Sequence, residues 1–283
     1  MSSTGSKIRV ILTSLAFISG CAATMPFINR YSSADKVASS GGFEKCYVKS
    51  GRFTLTSYSR INCPGAPINV YIEGDGVSWL TRTQISSDPT PREPLVLELA
   101  AIDPAENVAY IARPGQYTAS GVPDCDASYW SDKRFSEEII NAVNSALDDL
   151  KAKGRSREIN LIGYSGGAAI AVIVAAKRND CASLRTIAGN LDPDAVNRYN
   201  KVTPLKGSLN PMDFAGNISR ISQRHFASAG DRVVPIYITK TFAEKTGDRN
   251  GESITIVGGV THSAGWQKSW PSFLKLPLYK KTD

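Results

Sequence analysis

Gly163-Tyr164-Ser165-Gly166-Gly167 stands between an apolar stretch, residues 159–162, and a run of small and apolar residues, 168–176. A serine with glycines two positions before and after it, at a strand–turn–helix junction, has the pattern of a nucleophile elbow. The turn is so tight that a larger side chain at either glycine would strike the neighbouring backbone. It exposes the hydroxyl at a helix N-terminus, where partial positive charge favours a developing anion. A serine hydroxyl is a weak nucleophile and needs a base. The chain has only two histidines. His225 lies inside an apolar strand, in Arg-His-Phe-Ala, and reads as a hydrogen-bonded core residue. His262 lies in Gly258-Gly-Val-Thr-His-Ser-Ala-Gly265, just past the last strand, and is the candidate base. The base needs an acid to hold its tautomer. Asp231 ends the penultimate strand and is favoured; Asp192, before Pro193, is the rival and is also a common turn former. A tetrahedral oxyanion would take the N–H of Gly166, the residue after the nucleophile.

The elements that would position these residues alternate. Residues 53–58, 68–72, 107–111, 158–162, 184–188, 224–228 and 253–257 read as strands. Residues 94–101, 137–150, 168–176 and 236–244 read as helices, with Ser136 as an N-cap, and a further helix closes the chain. Such alternation implies a mostly parallel, twisted sheet with helices on both faces, an α/β class. Ligand sites in these sheets lie beyond the carboxyl ends of the strands. The turn Glu73-Gly74-Asp75-Gly76 follows an early strand there. Residues 192–216, rich in Pro, Gly and Asn, read as a long excursion beside the site, with a lid as one reading.

Length and composition agree with one large domain. The 283 residues are 42% hydrophobic and 21% charged, which excludes disorder and a multi-span membrane protein. The net charge of +7 is dispersed, without a basic block, so no nucleic-acid partner is expected. No cysteine–histidine cluster or CxxC is present, and no metal site or cofactor is expected.

The first residues run from a positive segment with Lys7 and Arg9 through a short apolar run to Ile18-Ser19-Gly20-Cys21, the order of a secretory signal. The ending resembles the lipobox of bacterial lipoproteins. That implies a signal peptide over residues 1–20, acylation of Cys21, and a flexible tether over 21–43 ahead of the domain at 44–283. Ala22 after the cysteine resembles an outer-membrane sorting signal, which implies a lipid-anchored protein of the bacterial cell envelope, facing the periplasm. The remaining Cys46, Cys63, Cys125 and Cys181 could form two disulfides with three connectivities, Cys46 with Cys63 being the most easily closed.

Together the elbow, Asp231 and His262 resemble the α/β-hydrolase superfamily over about residues 44–275, in the chain order Ser, Asp, His. Tyr71-Ile-Glu-Gly-Asp-Gly76, Ala112-Arg-Pro-Gly-Gln-Tyr117 and Tyr129-Trp-Ser-Asp-Lys-Arg-Phe135 are similar to a group of exported bacterial members. The resemblance implies a second oxyanion donor in the loop after the early strand, Asp75 N–H first and Gly74 N–H beside it, with Glu73 where esterases carry His. It implies acyl transfer from a small-molecule or lipid ester or thioester. The rival readings are a non-catalytic hydrolase-fold module that binds envelope ligands and a structural lipoprotein.

Overall fold

The computed structural model describes residues 25–281. The expected leader and the expected lipidation site at Cys21 lie outside them. The described elements are α1 (Met25–Ser40), β1 (Glu44–Ser50), β2 (Phe53–Ile61), β3 (Ile68–Ile72), α2 (Leu95–Ala101), β4 (Asn107–Ile111), α3 (Glu137–Gly154) and β5 (Ile159–Tyr164). They continue with α4 (Gly166–Ala176), β6 (Cys181–Ile187), α5 (Pro193–Asn200), β7 (Ser222–Ser228), α6 (Ile236–Thr246), β8 (Ile254–Val257) and α7 (Trp270–Phe273).

One sheet runs β1-β2-β4-β3-β5-β6-β7-β8. The pairs β1/β2 and β2/β4 are antiparallel and all the others parallel. The two-residue alternation of the strands sorts the core. Ile68, Val70 and Ile72 of β3, with Ile159 and Leu161 of β5, pack with α3, α4 and α6. Tyr71 and Ile162 point to the other face, with α1, α2, Trp266 and Trp270. Helix α4 is apolar all round and buried from Gly166 to Ala175, as its sequence requires.

Three sequence expectations are corrected. The strand expected over 53–58 is one arm of a hairpin whose other arm, β1, was not expected, and Gly51 turns the chain between them at φ +58. Residues 25–40 of the expected tether form α1, which docks on the domain. Ala34 and Ala38, one helical turn apart, are buried; the Tyr58 hydroxyl donates to Asp35 at 2.7 Å, and Arg30 reaches the Thr90 carbonyl. Small residues read as a linker by composition are here a face narrow enough for a helix to pack closely.

The third correction concerns Cys46, Cys63, Cys125 and Cys181, which are free among the described residues. The register sets Cys46 opposite Ser57, and Cys63 lies past the end of β2. Ser57 to Ile61 alone spans about 13 Å of strand, beyond the ~7 Å a disulfide tolerates between Cα atoms. Cys125 sits within electrostatic reach of Arg52, at the β1–β2 hairpin, whereas Cys181 opens β6. Four strand spacings separate β2 from β6, about 19 Å. Burial pushes the Cys125 and Cys181 thiols up to about 12, so neither is a nucleophile near neutrality.

Candidate active site

Ser165 takes the tight position between β5 and α4 with φ 50 and ψ −118. A non-glycine residue there costs about 1–3 kcal/mol and persists only when its surroundings hold it. Its N–H donates to Ile187 O at 2.9 Å, and its carbonyl accepts from Ala168 N–H and Asn190 N–H. The flanking glycines are required by close approach. A Cβ on Gly163 would lie 2.5 Å from Ala168 Cα, and one on Gly167 would lie 2.2 Å from Ile72 O.

His262 Nε2 is 3.0 Å from Ser165 Oγ, and its Nδ1 is 2.7 Å from Asp231 Oδ2. Asp231 leaves the carboxyl end of β7, and its Oδ1 accepts from Val233 N–H at 2.8 Å and Val234 N–H at 2.9 Å. Burial opposes the Asp231 charge, but His262 and these two N–H groups together hold the carboxyl below its usual value. The loops after β7 and β8 are tied together by Ser228 Oγ, which donates to Val260 O. Tyr164 OH and Trp266 Nε1 both donate to the His262 carbonyl and fix its backbone.

The other sequence candidates have structural duties. Asp192 caps α5, accepting from Ala195 N–H at 3.1 Å, and also accepts from Asn210 Nδ2. His225 is fully buried between Thr186 Oγ1 and Gln223 Oε1, and burial lowers it to about 4, so it is neutral. The segment after Asp192 is not a loose flap: Ala195, Val196, Ala215 and Ile218 are core residues.

The turn after β3 meets the elbow. Gly74 N–H donates to Glu73 Oε1 at 2.8 Å and is therefore committed. Gln116 Nε2 holds the Gly74 carbonyl and Ser78 Oγ the Asp75 carbonyl. Among the described residues, Asp75 N–H and Gly166 N–H have no acceptor. The Asp75 carboxylate packs on Gly166 so closely that a Cβ there would lie 2.0 Å from its Oδ1. It pairs with Arg113 Nη1 at 3.1 Å and faces Arg134 Nε at 3.5 Å, while Arg113 Nη2 donates to the Arg134 carbonyl. Sequence reasoning did not assign these two arginines. The available signal was the position of Arg113 directly after β4, at the edge of the sheet that carries the site.

Glu73 is buried, with its second oxygen on the Tyr110 hydroxyl at 2.9 Å. Burial raises it to about 7, against the Gly74 N–H, the Tyr110 hydroxyl and the Arg113 charge, which favour the anion. Its folded value exceeds the ordinary 4.5, so the unfolded chain releases this proton first. Stability is therefore lost as pH rises from about 4.5 to 7, by about 3 kcal/mol in total. Glu73→Gln keeps an acceptor for Gly74 N–H. In urea unfolding its advantage over wild type should grow by that amount between pH 4.5 and 8. The same advantage at both pH values would disprove this assignment.

Ser165 and His262 open into a cavity of about 560 Å³ lined by Val77, Trp79, Leu95 and Val233 among others. Among the described residues no cluster of His, Cys, Asp or Glu could hold a metal ion.

No family model matches the chain, and no curated protein matches it in sequence. Solved structures do. Est1E from Butyrivibrio proteoclasticus superposes with TM-score 0.57 at 14% identity, over 81% of this chain and 97% of that one. An esterase of Pyrococcus furiosus gives TM-score 0.55 at 14% identity, over 82% of this chain and 88% of that one. The acylaminoacyl peptidase of Pyrococcus horikoshii gives 0.60 at 14% identity, over 85% of this chain but 43% of that one. The fold is that of the α/β-hydrolases. In this α/β-hydrolase sheet, Ser165, Asp231 and His262 follow β5, β7 and β8, all at the carboxyl edge, and the Asp75 turn follows β3.

Proposed function

We propose that the chain is a serine hydrolase that cleaves an ester or thioester by acyl transfer. Ser165 Oγ attacks the carbonyl carbon while His262 Nε2 takes its proton. Asp231 holds the Nδ1–H tautomer and stabilises the imidazolium. Gly166 and Asp75 N–H receive the oxyanion. His262 then protonates the leaving group, and the reverse proton path activates water to release the acid. The observation that carries this reading is the unbroken hydrogen-bond chain Ser165–His262–Asp231 beside two unclaimed N–H groups. Apolar walls at Trp79, Leu95 and Val233 suit a small-molecule or lipid ester. The esterase and peptidase names of the structural neighbours point to the same chemistry. Labelling with a fluorophosphonate, with turnover of a p-nitrophenyl ester series of increasing chain length, tests it; no label and no turnover would refute it.

We also propose that Cys21 carries a lipid anchor that holds the enzyme in the bacterial cell envelope. Support lies in the Ile18-Ser19-Gly20-Cys21 sequence alone. Cys21→Ser should abolish palmitate incorporation and leave uncleaved precursor on a gel. Normal cleavage with no loss of label would end the proposal.

A further inference from the structure

A second cleft, of about 480 Å³, adjoins the catalytic cavity and shares the Trp79 side chain with it as a wall. It lies between the 79–85 segment, residues 131–134 and the end of α5. Its charges are Arg82, Arg134 and Lys201 against the single carboxylate of Asp132. The catalytic cavity is lined by the carboxyl groups of Glu73, Asp75 and Glu93 and by Arg92.

Arg134 joins the two spaces. Its side chain is 13% exposed, and its Nε faces Asp75 at 3.5 Å. Asp75 already pairs with Arg113, so Arg134 shares that carboxylate with a second guanidinium. Among the described residues the terminal nitrogens of Arg134 bond no acceptor. Its Nε is buried without a hydrogen bond, while the terminal nitrogens reach solvent and stand as free donors for an anion in the cleft. Lys201 ends α5 in the left-handed region, and its ammonium likewise bonds nothing among the described residues. Its carbonyl accepts from Arg82 Nη2 at 2.8 Å, which ties the 79–85 segment to α5 and closes one side of the cleft.

We propose that this cleft is a subsite for an anionic group, a carboxylate or a phosphate, on the substrate whose ester carbonyl lies at Ser165. The inference rests on the serine hydrolase reading. The substrate crosses Trp79, which offers an aromatic face to the linking segment. Its anion completes the pairing of Arg134, whose other partner carries an oxyanion donor.

The test compares p-nitrophenyl valerate with the mono-p-nitrophenyl ester of glutaric acid, which ends in a carboxylate. A parallel arm compares phenyl acetate with its phosphate-bearing analogue, so that the two anions are told apart. At low salt at least one anionic ester should exceed its neutral partner in kcat/KM by about tenfold, less at high salt. Lys201→Glu should remove that preference through KM and leave the neutral esters unchanged. Equal kcat/KM within both pairs, or a preference that survives Lys201→Glu, overturns the subsite. If no ester turns over and no fluorophosphonate binds, the hydrolase reading has failed, and calorimetric titration of glutarate and phenyl phosphate decides the cleft separately. Saturable binding to wild type that is lost in Lys201→Glu supports it; no binding to wild type refutes it.

Discussion

Replacing Ser165 with alanine should lower kcat by roughly 10⁶ and abolish fluorophosphonate labelling, leaving a residual rate ~10³–10⁴ above water. Alanine keeps the Cβ, so the backbone at φ 50 meets the same sterics and the elbow persists. The bonds that hold it, from Ser165 N–H to Ile187 O and from Ala168 and Asn190 to the Ser165 carbonyl, involve no hydroxyl. Only the nucleophile is lost, while Gly166 and Asp75 N–H still face the substrate. His262→Ala should reach the same floor, because serine and base act as a unit and their losses do not add. Steady-state rates for both single variants and the double variant check this. A Ser165→Ala protein with wild-type rates, or a double variant far slower than either single one, would contradict it.

Asp231→Asn should cost about 10⁴ in kcat with the fold intact. The reason lies in how the carboxylate is held. Val233 and Val234 N–H both donate to Oδ1, so an asparagine must keep its oxygen there. Its NH₂ then faces His262 Nδ1, where Oδ2 now accepts at 2.7 Å. The imidazole is driven to the Nε2–H tautomer, which cannot take the Ser165 proton. Asp192→Asn should change kcat little, because asparagine caps a helix as well as aspartate does. Thermal melts and kcat of both variants decide the matter, and a large loss at Asp192 with little at Asp231 would reverse the roles.

Much of the site was readable because its signals are short-range. The glycines around Ser165 announce a turn that only small residues allow. Two histidines left a short choice, and the apolar neighbours of His225 placed it in the core. Asp192 and Asp231 both follow strands and both looked usable; which one faces His262 depended on the order of β6, β7 and β8. Residues 25–40 and the cysteines were misread for a related reason. Composition describes a segment without its partner, and cysteine spacing ignores register. Neither the docking of Ala34 and Ala38 nor the offset between Cys46 and Cys63 is visible along the chain.

The sequence by itself determined the alternation of strands and helices, the elbow and the candidate base, since hydrophobic period and turn chemistry act over a few residues. Tertiary structure alone decided what supports them. Because β4 lies beside β3, Arg113 reaches Asp75 across thirty-eight positions, and Arg134 joins them from a loop further on. The same arrangement buries Glu73 onto Gly74 N–H and leaves Asp75 N–H unclaimed. Charge pairing and burial depend on distance in space, and strand order sets that distance.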